Sequence, residues 1–343
     1  MAARIQSWCK GVRRFLLTLF LLAALGVLAA GGWAWWWVHH PLALRAPTLD
    51  LSIEPGTLPR GVAYAVRDAG VDVDPDLLYA WFRVSGQDKL IKAGSYELEA
   101  GITPHRLLSK LARGEESLRA VTLVEGWNIR QVRAALARAE ALKGDSAKLS
   151  DEALMQALGR PGVHPEGRFF PDTYTYSKGS SDIRVLRRAL AAMDKRLAAA
   201  WAARTPNAVA KTPDEALILA SIVEKETGKA ADRTLISAVF NNRLKIGMPL
   251  QTDPTIIYGL GDKFDGNLRK RDLTTDGPYN TYLRADLPPT PIAMPGKAAL
   301  LAAVKPDPTK ALYFVSRGDG TSEFSGTLAA HNRAVDRYQR GRQ

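Results

Sequence analysis

The sequence predicts an α+β protein in three parts: an N-terminal transmembrane helix, a small α+β module and a larger α+β domain. Three observations carry this. Phe15 to Val38 contains no charged residue. Strand-like and helix-like patterns alternate between residues 50 and 118. After residue 119 helical patterns dominate, among them a run from Ala216 to Val223 in which only Ser221 is polar. A chain of 343 residues is long enough for two folded units with cores of their own.

Residues 15–38 are long enough to cross a hydrocarbon layer of roughly 30 Å at about 1.5 Å per residue. Arg4, Lys10, Arg13 and Arg14 precede them. The positive-inside rule therefore keeps 1–14 in the cytoplasm and sends everything after Val38 across the membrane. A cleaved signal peptide satisfies the same charge rule, with Ala29 to Gly32 as small residues for a peptidase. It leaves Trp33, Trp35, Trp36 and Trp37 unexplained, whereas an anchor uses them in the headgroup layer. The sole cysteine, Cys9, precedes the apolar run, which excludes an internal disulfide and a lipoprotein acylation site. The net charge of +12 is scattered, with no arginine-rich block, so it suits anionic lipid or an anionic wall polymer and not nucleic acid.

Residues 39–49, with Pro41 and Pro47, read as a tether. Leu51 to Ile53 alternates like a strand and Pro55-Gly56 turns it. Amphipathic helices are expected at 59–69 and 75–84, a strand at 93–98, and a helix opened by Thr103-Pro104 and closed by Gly114. These make one α+β module, 50–118.

The second domain, 119–343, opens with the strand-like Val121 to Val124. Helices are expected at 129–142, 151–158 and 182–203. Between the last two, Glu166 to Tyr176 is rich in aromatics yet polar at its turns, which suits a cleft wall better than a core. Leu312 to Val315 and Ser322 to Ser325 read as a hairpin, and a helix from Thr327 to Arg340 carries His331-Asn332. No other histidine or cysteine stands at ligand spacing from His331, so no metal or other cofactor is expected and His331 reads as structural.

The chemistry concentrates at the end of one helix. Thr212 caps it, Pro213 takes the first turn and Glu215 completes a capping box. At about 100° per residue Leu217, Ala220 and Glu224 share one face, and Glu226 points roughly 200° away from Glu224. Glu224 continues the buried face, where desolvation favours the neutral acid, so it is a candidate proton donor. The competing reading is a buried salt bridge to Arg243. Glu226 is expected to be solvated or to support the loop after Gly228. Asp253 before Pro254 reads as a helix cap, with Gln251 and Thr252 just outside it facing a polar ligand. The stiff segments Pro278 to Tyr282 and Leu287 to Gly296 suit binding, because little entropy is lost when a ligand arrives.

Taken in order, Glu166-Gly167-x-Phe169-Phe170-Pro171-Asp172-Thr173-Tyr174, Ala220 to Glu226, Leu250 to Thr255, Tyr279 to Tyr282 and His331-Asn332 resemble the YceG-like (MltG) family of endolytic murein transglycosylases. The proline-rich loop departs from it, with Thr290 and Met294 where members often carry glycine or a polar residue. The resemblance implies a bacterial enzyme anchored in the cytoplasmic (inner) membrane, with the module as a LysM-like unit and the larger domain, periplasmic or extracytoplasmic, as catalytic. It implies peptidoglycan glycan strands as substrate and cell-wall synthases, the penicillin-binding proteins, as partners. It also implies a catalytic helix whose first glutamate in Glu-Lys-Glu, Glu224, is the catalytic acid, with Glu166, Gln251, Thr252, Asn280 and Tyr282 as candidates for holding the glycan.

A hydrolase generally uses two carboxylates, and this helix presents one well-placed acid. A lytic transglycosylase needs one, because the C6 hydroxyl of the N-acetylmuramic acid attacks its own anomeric carbon and leaves a 1,6-anhydro end. The rivals are a hydrolytic muramidase with Asp253 or Glu226 as second carboxylate, and a non-catalytic glycan-binding scaffold for cell-wall synthases.

Overall fold

The structure, a computed structural model, describes residues 2–341, with side chains from Leu17 onward. The readings placed on Arg4, Cys9, Lys10, Arg13 and Arg14 concern side chains outside the described residues. The chain divides into two units, one running through Leu118 and including Ser177–Gly179, the other formed by Arg119–Tyr176 and the chain from Ser180.

The first unit begins with helix α1 (Ala2–His39), whose segment Leu17–His39 is long and apolar enough to cross a membrane and is largely exposed, with Val38 buried near its end. Then come β1 (Ala43–Leu44), β2 (Thr48–Ile53), α2 (Pro59–Asp68), β3 (Val71–Asp72), α3 (Pro75–Val84), β4 (Gly94–Glu99) and α4 (Pro104–Arg113). Residues 39–49 are more than a tether. Leu42 is buried with its N–H on the Ile102 carbonyl at 2.8 Å, and β1 pairs antiparallel with β3. Pro41 and Pro47 lie outside that short ladder, so neither removes a donor from it.

Strands β2 and β4 pair antiparallel from Thr48 opposite Glu99 to Ile53 opposite Gly94. Period-two alternation turns Leu51 and Ile53 inward, onto Val62, Val66, Leu78, Phe82, Leu107 and Leu111 of the three helices. Thr103 caps α4 by accepting the Arg106 N–H, and Gly114 closes it in the left-handed region at φ 72°.

The second unit runs β5 (Leu118–Thr122), α5 (Ile129–Arg138), α6 (Asp151–Ala157), β6 (Thr173–Ser177), α7 (Asp182–Ala202), α8 (Pro213–Glu226), α9 (Arg233–Lys245), α10 (Asp253–Leu260), α11 (Lys270–Thr274), α12 (Lys297–Val304), β7 (Tyr313–Ser316), β8 (Ser322–Ser325) and α13 (Leu328–Val335). Strand β5 pairs with β6, and β7 with β8 as an antiparallel hairpin. One core gathers Val132, Leu136, Leu154, Val185 and Leu186 from α5, α6 and α7. Phe169, Tyr174 and Tyr176 belong to that core, so the aromatic stretch is not the cleft wall its composition suggests. The alternation Thr173-Tyr174-Thr175-Tyr176 makes it a strand with both tyrosines on the buried face.

The other core is built around α8. Thr212 caps it by accepting the Glu215 N–H at 3.1 Å, with Pro213 in its first turn. The Glu215 carboxylate reaches past the cap to the Lys211 N–H, so the expected capping box is only half formed. Leu217, Leu219, Ala220, Ile222 and Val223 are all buried, against Met193 and Leu197 of α7, Ile236 and Phe240 of α9, and Leu300 and Ala303 of α12. A helix that is apolar all round is covered all round. Ser221, its one polar core residue, donates to the Ile218 carbonyl at 2.7 Å and accepts the Ile292 N–H at 2.9 Å. That second bond ties the proline-rich loop to the helix.

Candidate active site

The apolar run of α8 ends where the helix meets polar chain on two sides, and each side receives one carboxylate. Glu224 Oε2 accepts the backbone N–H of Gly296, the residue that caps α12, at 2.9 Å. Burial pushes the Glu224 carboxyl above the ordinary carboxylate range, and the neighbouring Glu125 pushes the same way. The Gly296 N–H, Arg233 and Lys225 oppose the rise without cancelling it.

Glu125 sits in the turn between β5 and α5. A backbone pair fixes that turn against the proline-rich loop, with Gly126 N–H on the Met294 carbonyl at 2.9 Å and Met294 N–H on the Trp127 carbonyl at 2.7 Å. A Cβ on Gly296 would stand 1.8 Å from Glu125 Oε1. Glycine at 296 is what lets the Glu125 carboxylate lie against the chain at the position whose N–H holds Glu224.

Glu226 is not solvated, contrary to the helical-wheel expectation. Its Oε2 accepts the Thr252 hydroxyl at 2.7 Å, and burial raises its pKa, with Asp253 adding to the rise and Arg243 opposing it. The wheel misplaces Glu226 because it does not show Thr252, 26 residues on, whose hydroxyl its carboxylate takes. The salt-bridge reading for Glu224 also fails. The Arg243 guanidinium donates to the carbonyls of Leu312 at 2.7 Å, Leu250 at 2.8 Å and Pro249 at 3.2 Å, and its acidic neighbour is Glu226.

Glu226 and Arg243 line a cleft of about 970 Å³ together with Gln251, Asp253, Tyr282 and Tyr313. Asp253 is the first residue of α10 and not its cap. Thr252 holds the cap position, and Asp253 Oδ1 instead accepts the Tyr282 hydroxyl at 2.6 Å. Gln251 has φ 51°, left-handed backbone that a residue with a Cβ rarely adopts. His331 also lines the cleft, stacked on Tyr313 with centroids 5.2 Å apart, and its buried Nδ1 has no hydrogen-bond partner.

Two of the sequence candidates serve as braces. Glu166 is fully buried, its oxygens taken by the Ile129 N–H at 3.1 Å and the Tyr258 hydroxyl at 3.0 Å, and burial raises its pKa to about 7. Asn280 is buried too; its amide donates to the carbonyls of Leu273 and Thr275 and its oxygen accepts the Tyr282 N–H. Neither has capacity left for a substrate. Gln251, Thr252 and Tyr282 do converge, on Glu226 and its cleft. Among the described residues no three His, Cys, Asp or Glu side chains gather as a metal site.

The model of the YceG-like family matches residues 51–337. This chain belongs to that family. Every motif ordered in the sequence analysis, from Glu166 to Asn332, falls within the match. Among YceG-like relatives, a Bacillus subtilis protein named endolytic murein transglycosylase is 31% identical, covering 85% of each chain. A Streptococcus pneumoniae protein of the same name is 28% identical over 94% of this chain, which spans 65% of that longer protein. A crystal structure of a YceG-like protein from Listeria monocytogenes superposes with a TM-score of 0.53 at 26% identity, covering 84% of this chain and 98% of that one.

Glu125, beside the candidate acid, is the residue that sequence reasoning missed; Glu226 and Arg243 were named there, but not as lining one cleft. Glu125 had a signal, a carboxylate beside a turn glycine. The shared cleft had none, since Glu226 meets Thr252 26 residues away and Arg243 holds carbonyls from 6 to 69 residues away.

Proposed function

We propose that the protein is an endolytic murein transglycosylase that cleaves the bond between N-acetylmuramic acid and N-acetylglucosamine within glycan strands, with Glu224 as its acid and base. The observation that carries the activity is the 31% identity over 85% of both chains to a relative of that name. Glu224 is favoured by its place at the end of the buried run of α8, where desolvation and Glu125 raise its pKa.

Neutral Glu224 gives its proton to the glycosidic oxygen as the bond to the anomeric carbon breaks. The muramic C6 hydroxyl attacks that carbon, and the Glu224 carboxylate takes the hydroxyl proton. One proton leaves the acid and one returns. No water is consumed, and one carboxylate suffices.

In this reading α1 anchors the enzyme in the cytoplasmic membrane with residues 1–14 inside and the rest outside. The unit holding β2 and β4 is a LysM-like glycan-holding module, residues 119–343 form the catalytic domain with α8 as its catalytic helix, and cell-wall synthases are the partners.

Mass spectrometry of products from full-length protein on uncross-linked glycan strands tests this. Anhydro ends, lighter than reducing ends by one water, support it, and Glu224→Gln is expected to lose at least about 100-fold in rate while folding normally. Reducing ends alone would make the enzyme a muramidase. No cleavage at all would leave a scaffold.

A further inference from the structure

The reaction above uses Glu224 and leaves Glu226, the half-buried carboxyl on the other side of the last turn of α8, unexplained. Three features single out its cleft as built for a ligand. Glu226 is desolvated yet engages only Thr252, through Oε2, and Oε1 has no partner among the described residues. Gln251, in the cleft wall, is held in left-handed backbone, a cost that persists where the surroundings impose it for a purpose. His331 Nδ1 is buried there without a partner.

The lining fits one chemical group closely. Ile236, Leu250, Phe314 and Val315 offer apolar contact for a methyl. Burial raises the Glu226 pKa, and in its protonated form the carboxyl presents an O–H donor for a carbonyl oxygen. Asp253, whose Oδ1 takes the Tyr282 hydroxyl, keeps Oδ2 for an amide N–H. Methyl, carbonyl and N–H together are an acetamido group.

Resting on the transglycosylase reading, we infer that this cleft is an acetamido-sugar subsite in which the Glu226 carboxyl, oriented by Thr252, donates a hydrogen bond to the N-acetyl carbonyl of the glycan. Glu226 is a binding residue there and takes no part in proton transfer at the scissile bond. Desolvated on the ligand side as well, that bond discriminates against a sugar lacking the acyl group, because the neutral carboxyl would be left without an acceptor.

The test separates binding from cleavage by using full-length Glu224→Gln protein, with Glu226→Ala or Glu226→Gln added. Affinity is measured by calorimetry for glycan strands and for the same strands chemically de-N-acetylated. The expected result is an affinity ratio of about tenfold in favour of acetylated strands, collapsing toward one in Glu226→Ala and restored in Glu226→Gln, which keeps a donor. The two substitutions carry the same charge, so the amine exposed by deacetylation affects both alike. Thr252→Val, which removes the orienting hydroxyl, lowers the ratio part of the way. An unchanged ratio in a folded Glu226→Ala protein overturns the subsite. Persistent cleavage by Glu224→Gln would overturn the catalytic assignment instead, and leave the ratio to be judged on its own.

Discussion

Glu224 and Glu226 leave the last turn of α8 on opposite sides, the first to the Gly296 N–H at 2.9 Å and the second to the Thr252 hydroxyl at 2.7 Å. Both are held above the ordinary carboxylate range by desolvation, but different neighbours surround them. Both shifts run the same way, so it is on the separate surroundings that we propose separate roles, proton transfer for Glu224 and ligand binding for Glu226.

The proton donor must start neutral, so the alkaline limb of kcat/KM follows the Glu224 pKa. Glu125 raises that pKa, whereas Arg233 from α9 and Lys225 from α8 lower it. Glu125→Gln removes a like charge, so activity is expected to fall away at lower pH than in the parent. Arg233→Gln is expected to move the limb the other way. A pH profile of kcat/KM on glycan strands checks both directions.

Glu166 gives stability its own pH dependence. Its folded pKa of about 7 lies above the ordinary 4.5, so between those values the folded state holds a proton that the unfolded state has released. The contribution of Glu166 to folding stability is therefore fully present below about pH 4.5 and is lost as pH rises to about 7, on the order of 3 kcal/mol. Urea titrations across that range should show the decline, and Glu166→Gln should flatten it.

Ser221 joins α8 to the loop that carries Gly296. Ser221→Ala leaves the buried Ile292 N–H without an acceptor, which costs about 1–3 kcal/mol. Denaturant unfolding reads that loss. Activity should fall too, because the same loop sets the N–H on which Glu224 rests.

Much of this fold was legible because its signals are local. Thr212-Pro213 marked the start of α8, Thr103 and Gly114 bounded α4, and alternation at Leu51 and Ile53 marked β2. The site was legible only in part. Glu226 was misplaced because periodicity does not report its partner, Thr252, which lies 26 residues on. Asp253 looked like a cap because Asp-Pro has that pattern, but Tyr282, 29 residues on, takes its carboxylate. Glu166 and Asn280 looked available for substrate, as polar residues in irregular segments do, until their backbone partners were known. What a sequence pattern cannot supply is the distant partner that decides whether a polar side chain is spent or free.

Gln251 offers a way to separate stability from binding. Left-handed backbone costs a residue with a Cβ roughly 1–2 kcal/mol, and glycine there would lose roughly 0.5–1 kcal/mol more backbone entropy on folding. Among the described residues, the side-chain bond Gln251 would give up is a long one, its Oε1 at 3.4 Å from Arg243 Nη1. The strain relieved exceeds the entropy added, so Gln251→Gly is expected to raise stability by about 0.5 kcal/mol. Gln251→Ala keeps the strain and removes the same side chain, so it should bring no such gain. Both should weaken binding of glycan strands in the Glu224→Gln background, since both take a polar group from the cleft wall. Thermal unfolding and calorimetry on the pair distinguish the two effects. Equal stability of the two variants would mean that the backbone at 251, held by its N–H on the Thr281 carbonyl at 2.9 Å, carries no strain that glycine relieves.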